Sequence, residues 1–313
     1  MRQLTKNEYE LFSKICKLSQ ANLLEELHQL LLQHYPKNKV FQIQGNLVAE
    51  GDIPIGLVAH MDTVFPKPPI SIYYDKEENV IFSPEGLGAD DRAGIFGILL
   101  TLSSGLRPTV IFTRDEERGG KGASALAEEY TPIGLKYLIE LDRHGQKDCV
   151  FYDCDTRDFV KYIENFGFIS EFGSYSDISF LMSPWQLCAT NLSIGYENEH
   201  SYAEVLHVTY LLRTVEIVKT MLQEKNIPTF KYEEVKNGLE YCEKCNRVFF
   251  TWELLPIKTK KKTKKLYCLD CAMSSQLHWC EKCNYGFEPV GNNFKYCVSC
   301  TEEMANGNNQ GKI

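Results

Sequence analysis

Ile55-Gly-Leu-Val-Ala-His-Met-Asp62 decides the fold: five residues of buried-strand character end at His60, and an acid follows two positions later. Two further runs share this form. Thr109-Val-Ile-Phe112 stops just before Asp115-Glu116-Glu117, and Leu135-Lys-Tyr-Leu-Ile139 leads into Glu140-Leu-Asp142. Short apolar runs of this kind fit strands covered on both faces, as in a parallel sheet. Open α/β proteins gather their ligands outside the carboxyl ends of such strands, where all three groups fall.

Two more runs complete the order: Asp90-Asp-Arg-Ala-Gly94 between the first two strands, and Glu199-His200 beyond the third. Two divalent cations a few ångströms apart polarise a carbonyl, hold a shared water and lower its pKa, while a neighbouring carboxylate moves the proton. Two His and three acidic side chains, one of them bridging, can hold such a pair and leave room for water. A lone His-X-Asp is usually a surface pair, and a lone Glu-Glu is usually solvated acid at a helix start. Five runs in one order favour the two-metal reading. Glu140, His144, Glu197 and Glu199 lie within reach of the same roles as Asp142 and His200.

Helical periodicity supports an α/β domain around these strands. Ala93, Ile95, Ile98, Leu99 and Leu102 predict a helix over Asp91 to Ser104, starting at the metal runs. Val205, Val208, Leu211, Leu212, Val215, Val218 and Met221 predict a core helix over Ser201 to Gln223, with His207 inside it as a structural residue. Two amphipathic helices are expected at the amino end, carrying Tyr9, Leu11, Phe12 and Ile15, then Leu23, Leu24, Leu27, Leu30 and Leu31. Cys16, Cys149, Cys154 and Cys188 read as buried thiols.

The runs Val58-Ala-His-Met-Asp-Thr-Val64, Gly88-Ala-Asp-Asp-Arg-Ala-Gly94 and Phe112-Thr-Arg-Asp-Glu-Glu117 resemble the co-catalytic di-zinc exopeptidases, the group of peptidase T and the bacterial leucyl and glutamyl aminopeptidases. The resemblance covers residues 50–220. It implies a phosphorylase/hydrolase-like α/β domain with a central mixed sheet. It also implies roles: His60 and Asp142 as ligands of a first metal, Glu117 and His200 of a second, and Asp90 bridging them with a cis peptide bond after it. By the same resemblance Asp62 fixes the His60 tautomer, and Glu116 is the general base that passes a proton to the leaving amine. The metals implied are zinc, with cobalt or manganese as alternatives. An Asp at position 142 is the choice of the aminopeptidase and small-peptide members.

The chain departs from the lidded members of that group, because the segment from Asp142 to His200 is too short for a separate lid domain. In lidded relatives an inserted His helps stabilise the oxyanion, so here something local must serve. Candidates for the pocket are Arg143, His144, Tyr202 and Asp177, the last within Gly173-Ser-Tyr-Ser-Asp-Ile-Ser-Phe180. Ser176-Asp177 reads equally well as the start of a helix.

A second module begins near residue 240, after a polar stretch 226–239 expected as a linker to a catalytic domain of residues 1–225. Four Cys-X-X-Cys pairs follow: Cys242/Cys245, Cys268/Cys271, Cys280/Cys283 and Cys297/Cys300. Paired thiolates on tight turns build the tetrahedral sulfur cage that zinc prefers, and the metal supplies folding energy that so small a segment lacks. Cys-Glu-Lys-Cys-Asn occurs at both Cys242 and Cys280. The repeat predicts two tandem zinc ribbons over 240–302, the first closed by Cys268/Cys271 and the second by Cys297/Cys300; spacing alone also permits a cross-braced pairing. Residues 303–313 are expected to be a disordered tail.

Lys258-Thr-Lys-Lys-Lys-Thr-Lys-Lys265 could meet nucleic-acid phosphates or an acidic protein, or be a solvated loop. Eight thiolates holding two zinc ions bring the module near neutrality, so only the loop is basic. The whole chain carries a formal charge of −8, concentrated in the catalytic part, which disfavours a general nucleic-acid surface there. No apolar run approaches membrane-spanning length and nothing reads as a signal peptide, so a cytoplasmic protein without membrane contact is expected.

The function expected is a zinc-dependent metallopeptidase, an aminopeptidase acting on the N-termini of peptide or protein substrates, with the ribbons recruiting or restricting them. Two other readings use the same residues: an amide deacylase or isopeptide hydrolase, and a non-catalytic scaffold for the ribbons.

Overall fold

Residues Ile53–His60 form the spine of an eight-stranded sheet in the computed structural model. The structure describes residues 2–154, 156–233, 239–250, 254–259, 264–275, 277–281, 286–287, 289 and 295–307. The chain divides into two units, Met1–Val235 and Lys236–Ile313.

In the larger unit the strands are β1 (Val40–Ile43), β2 (Asn46–Ala49), β3 (Ile53–His60), β4 (Tyr73–Asp75), β5 (Val80–Phe82) and β6 (Pro108–Thr113). They continue with β7 (Tyr137–Arg143), β8 (Asp148–Val150), β9 (Ile169–Ser170), β10 (Cys188–Ser193), β11 (Tyr196–Glu197) and β12 (Val205–His207). The helices are α1 (Lys6–Cys16), α2 (Gln20–Leu31), α3 (Ala89–Ser103), α4 (Lys121–Glu129), α5 (Arg157–Glu164), α6 (Asp177–Trp185) and α7 (Val208–Leu222).

The main sheet runs β1-β2-β6-β3-β7-β10-β8-β9. Its centre, β6-β3-β7-β10, is parallel, while β2 pairs with β6 and β8 with β10 in antiparallel fashion. The mixed sheet expected from the sequence is therefore present. All six residues of β6 and the last six of β3 are buried, which explains why these strands read as continuous apolar runs. Helix α3 packs on β3 and β7 with α1 and α7 beside it; α6 covers the other face together with α4. Gly94 permits the first contact, since a Cβ there would sit 2.2 Å from the Leu141 carbonyl oxygen. A second sheet, β11-β12-β5-β4, carries the segment leading to His200.

Three expectations need correction. The helix foreseen over Ser201 to Gln223 begins only at Val208, because residues 205–207 pair with β5 as β12 and bury Leu206 on that sheet. His207 is the residue before α7, its Nε2 3.3 Å from Glu197. The stretch expected as a linker starts as part of the larger unit: Phe230 packs among the rings of Tyr137, Phe159 and Tyr162, and Thr156 Oγ1 donates to the Lys231 carbonyl at 2.7 Å. Aromatic burial outweighs the polar composition there.

In the smaller unit, β13 (Leu239–Tyr241) pairs with β14 (Val248–Phe250). Strands β15 (Leu254–Lys258), β16 (Lys264–Cys268), β17 (His278–Trp279) and β18 (Gly286–Phe287) form one sheet in the order β16-β15-β18-β17. Helices α8 (Leu269–Met273) and α9 (Val298–Gly307) each begin directly after the first cysteine of the second pair, Cys268 or Cys297, and carry the second, Cys271 or Cys300, within them. Helix α9 reaches into the stretch expected as a disordered tail, because a helical turn starts at the knuckle that carries Cys297 and buried Cys300. Residues 308–313 lie outside the described residues, as do 260–263 of the basic run, which joins β15 to β16. Among the described residues no helix is long and apolar enough to cross a membrane.

Candidate metal centre

The carboxyl ends of β3, β6 and β7, the start of α3 and the loop after β11 converge on one cluster of imidazoles and carboxylates. His60, 1% exposed, ends β3. Its Nδ1 faces Asp62, 3.1 Å from the backbone carbonyl oxygen and 3.4 Å from Oδ1. That leaves Nε2 towards the site, 3.1 Å from Asp90 Oδ1 and 3.5 Å from Asp142 Oδ1. His200, in the left-handed region at φ 59°, brings its Nε2 within 3.1 Å of both Asp90 Oδ2 and Glu117 Oε1. Asp90 thus divides its two oxygens between the two imidazoles, and the peptide bond after it is cis.

Backbone contacts hold these groups in place. Asp62 accepts the N–H of Glu116 at 3.0 Å and of Glu117 at 3.1 Å, so it anchors the turn bearing both acids as well as facing His60. Asp91 accepts the N–H of His60 and of Gly94, tying the strand end to α3. Asp142 receives the Tyr196 hydroxyl on Oδ1 at 3.1 Å, and Asn191 holds its backbone through both N–H and C=O. Ser176 Oγ lies 3.1 Å from Asp142 Oδ2 and 2.6 Å from Glu140 Oε2.

The cluster is short of positive charge. Burial, followed by repulsion from Asp90, pushes Asp142 up to about 6 and Glu117 up to about 7. Glu116 is pushed up to about 9, by burial first, against the attraction of His60. His200 is raised to about 9, chiefly by its contact with Asp90. Burial opposes ionisation of Asp90, yet the two imidazoles hold it well below the usual carboxylate range.

These residues fit a pair of divalent cations. Glu117 Oε1 is buried without a hydrogen-bond donor although His200 Nε2 is close, so oxygen and ring nitrogen aim at a common point rather than at each other. Ligand atoms of His60, Asp90 and Glu117, and of His60, Asp91 and Asp142, lie within 4.8 Å of one another. Of the second group Asp91 is already engaged by two backbone donors, so Asp90 is the better partner for His60 and Asp142.

The remaining candidates separate clearly. Glu199 pairs with His144 at 2.6 Å and Glu197 with His207, while Glu140 lies fully buried beneath Asp142. Arg143 and His144 line the cleft in front of the cluster, together with Tyr152, Ser174, Tyr175 and Glu199. Asp177 does not: it is fully buried, bound to the Thr113 hydroxyl behind the site, because it opens α6. Tyr202 does not line the cleft either; it stands 67% exposed against the Phe65 ring. Sequence reasoning missed Tyr196, Asn191 and Glu204, which act through hydrogen bonds rather than as members of an acidic or histidine run. Glu204 alone left a signal, an acid four residues beyond His200.

In the smaller unit the ligand atoms of Cys242, Cys245, Cys268 and Cys271 lie within 4.8 Å of one another, as do those of Cys280, Cys297 and Cys300. Cys283 lies outside the described residues. Among the described residues Cys242/Cys245 meet Cys268/Cys271, and Cys280 meets Cys297/Cys300. Four thiols of this kind fit one structural zinc ion.

No family model matches the sequence, and no curated protein matches it. Solved structures are similar in fold. The PepT aminopeptidase of Bacillus cereus ATCC 10987 superposes with a TM-score of 0.56 at 17% identity, covering 68% of this chain and 96% of that one. An aminopeptidase of the archaeon Desulfurococcus kamchatkensis gives 0.56 at 15% identity, over 71% and 96%. The TET aminopeptidase of Thaumarchaeota archaeon SCGC AB-539-E09 gives 0.57 at 11% identity, over 71% and 97%. The chain therefore carries the α/β fold of the PepT and TET aminopeptidases.

Proposed function

We propose that the larger unit is a two-metal peptidase that removes residues from the free amino ends of peptides. The observation that carries this reading is the Asp90 carboxylate divided between His60 and His200, with Glu116 Oε2 4.0 Å from His60 Nε2. When bound, the two cations would polarise the scissile carbonyl and lower the pKa of the attacking water. His60, Asp90 and Asp142 would hold one cation, and Asp90, Glu117 and His200 the other. Glu116 stands beside them; two bound cations would offset the burial that raises its carboxyl in the metal-free cluster, leaving a carboxylate suited to take a proton from water and return it to the departing amine. Asp62 fixes the Glu116 and Glu117 backbone against this task. The fold shared with the PepT and TET aminopeptidases supports cleavage at amino ends. His144, on the cleft wall and backed by Glu199, is the group we assign to the developing oxyanion.

The smaller unit we read as two zinc-held ribbons that dock the protein or peptide to be trimmed. The test is mass spectrometry of a mixed peptide library, with N-acetylated members, incubated with the zinc-loaded full chain and with Glu116→Gln. Stepwise loss from free amino ends is expected, with acetylated members spared. Glu116→Gln should keep its zinc and lose roughly two to four orders of magnitude in turnover. Cleavage of acetyl groups or of branched amides instead would replace the aminopeptidase by a deacylase or isopeptide hydrolase.

A further inference from the structure

Glu204 is a buried carboxylate that the proposed chemistry leaves without a task. It sits in the turn after His200 and is 1% exposed. Its Oε2 accepts the N–H of Gly88 at 2.6 Å and of Ala89 at 3.1 Å, and its Oε1 accepts the N–H of Asp90 at 3.1 Å. Burying a charge is costly unless it is paired or hydrogen-bonded, and three peptide donors in the turn leading into α3 offset part of that cost. Gly88 makes the cradle possible: its φ of 67° swings its N–H to the same side as those of Ala89 and Asp90.

A neutral Ser or Asn would cap a helix start by taking one donor. Glu204 takes three consecutive ones, and the last belongs to Asp90. The peptide plane that aims the Asp90 carboxylate is therefore fixed from the segment His200–Glu204, which also delivers the second imidazole. That segment is itself closed, with the Glu204 N–H donating to the Ser201 carbonyl at 3.1 Å. One short turn thus sets both the shared ligand and the ligand it must meet.

We infer that Glu204 is a positioning residue for the metal centre. It holds the Gly88–Asp90 backbone so that Asp90 bisects the two imidazoles, and it couples that setting to the His200 turn. The inference rests on the two-metal reading of the site, though not on the nature of the substrate.

Glu204→Ala and Glu204→Gln in the full chain test it. The protein is stripped with EDTA, its cysteine sites are refilled with zinc, and the remaining zinc affinity is measured by calorimetry; turnover and thermal melting are measured alongside. Glu204→Ala should weaken zinc binding at the cluster by roughly 10–100-fold and lower kcat by a similar factor with KM unchanged. Glu204→Gln should recover part of both, because its amide oxygen can accept two of the three N–H groups while its NH2 opposes the third. Unchanged zinc affinity and kcat, or a loss confined to melting temperature, would make Glu204 a plain structural cap and overturn the inference. If Glu204→Ala does not fold, unchanged zinc affinity in Glu204→Gln overturns it equally. Weakened zinc binding in a protein that cleaves no library peptide would uphold the positioning role while removing the peptidase reading.

Discussion

At the scale of the residue, the centre is organised by carboxylates in two kinds of work. Asp90, Glu117 and Asp142 turn oxygens towards the two imidazoles, whereas Asp62 holds the peptide N–H groups of Glu116 and Glu117, Asp91 those of His60 and Gly94, and Glu204 those of Gly88 to Asp90. The crowding has a consequence for the metal-free protein. Folding raises Asp142 to about 6 and Glu117 to about 7, above the values near 4 that both have in the unfolded chain. Between those limits the folded state binds more protons than the unfolded one, so stability falls as pH rises. The EDTA-treated protein should accordingly melt at a lower temperature at pH 7.5 than at pH 5. Zinc should abolish or reverse that slope, because cations replace the protons; scanning calorimetry across this range, with and without zinc, decides it. A metal-free melting temperature that climbs steadily with pH would contradict the description of the cluster.

At the scale of the element, the centre depends on how closely α3 approaches β7. Gly94 sits at that approach, and its absent side chain lets the helix begin beside the site instead of being pushed off the sheet. Gly94→Ala should destabilise the larger unit by about 1–3 kcal/mol through overpacking against backbone, which cannot rotate away as a side chain could. Urea melts of the two proteins measure this, and an unchanged midpoint would show that α3 can shift freely. The strand runs were legible because burial on both faces leaves a continuous apolar run; the helix after Asp90 is buried all round from Ala89 to Leu102, so its length of apolar residues rather than a polar face marks it. The first turns after His200 were not legible. Val205 fits the helical period of α7, and only pairing with β5 makes residues 205–207 a strand.

At the scale of the whole molecule, two units with different sources of stability share one chain. The larger has a continuous apolar core, while the smaller has short strands around two cysteine clusters. Its two halves are not independent beads, because β15 of the first half pairs in parallel with β18 of the second. Lys258 Nζ also lies 3.5 Å from Cys297 Sγ. The full chain should therefore carry two thiolate-held zinc ions besides those of the metal centre. Cys242→Ser with Cys245→Ser should remove one of them and loosen the other half as well. Zinc content by elemental analysis, together with hydrogen exchange at β18, tests both; exchange at β18 unchanged by the substitution would mean that the halves fold separately.

Local sequence was enough to mark three of the four central strands, β3, β6 and β7, the acidic and histidine runs at their ends and the cysteine pairs, since these depend on short apolar runs and on residue types that few other roles require; β10 left no such mark. Tertiary contacts settled which acids face the two imidazoles and which meet backbone, because Asp90 and Asp91 are chemically alike and differ only in where the fold turns them. The same contacts place Asp177 behind the cleft and Tyr202 outside it, and carry Glu204 back across the chain to residues 88–90. Those outcomes rest on hydrogen bonds between segments far apart in sequence, and no local pattern encodes them.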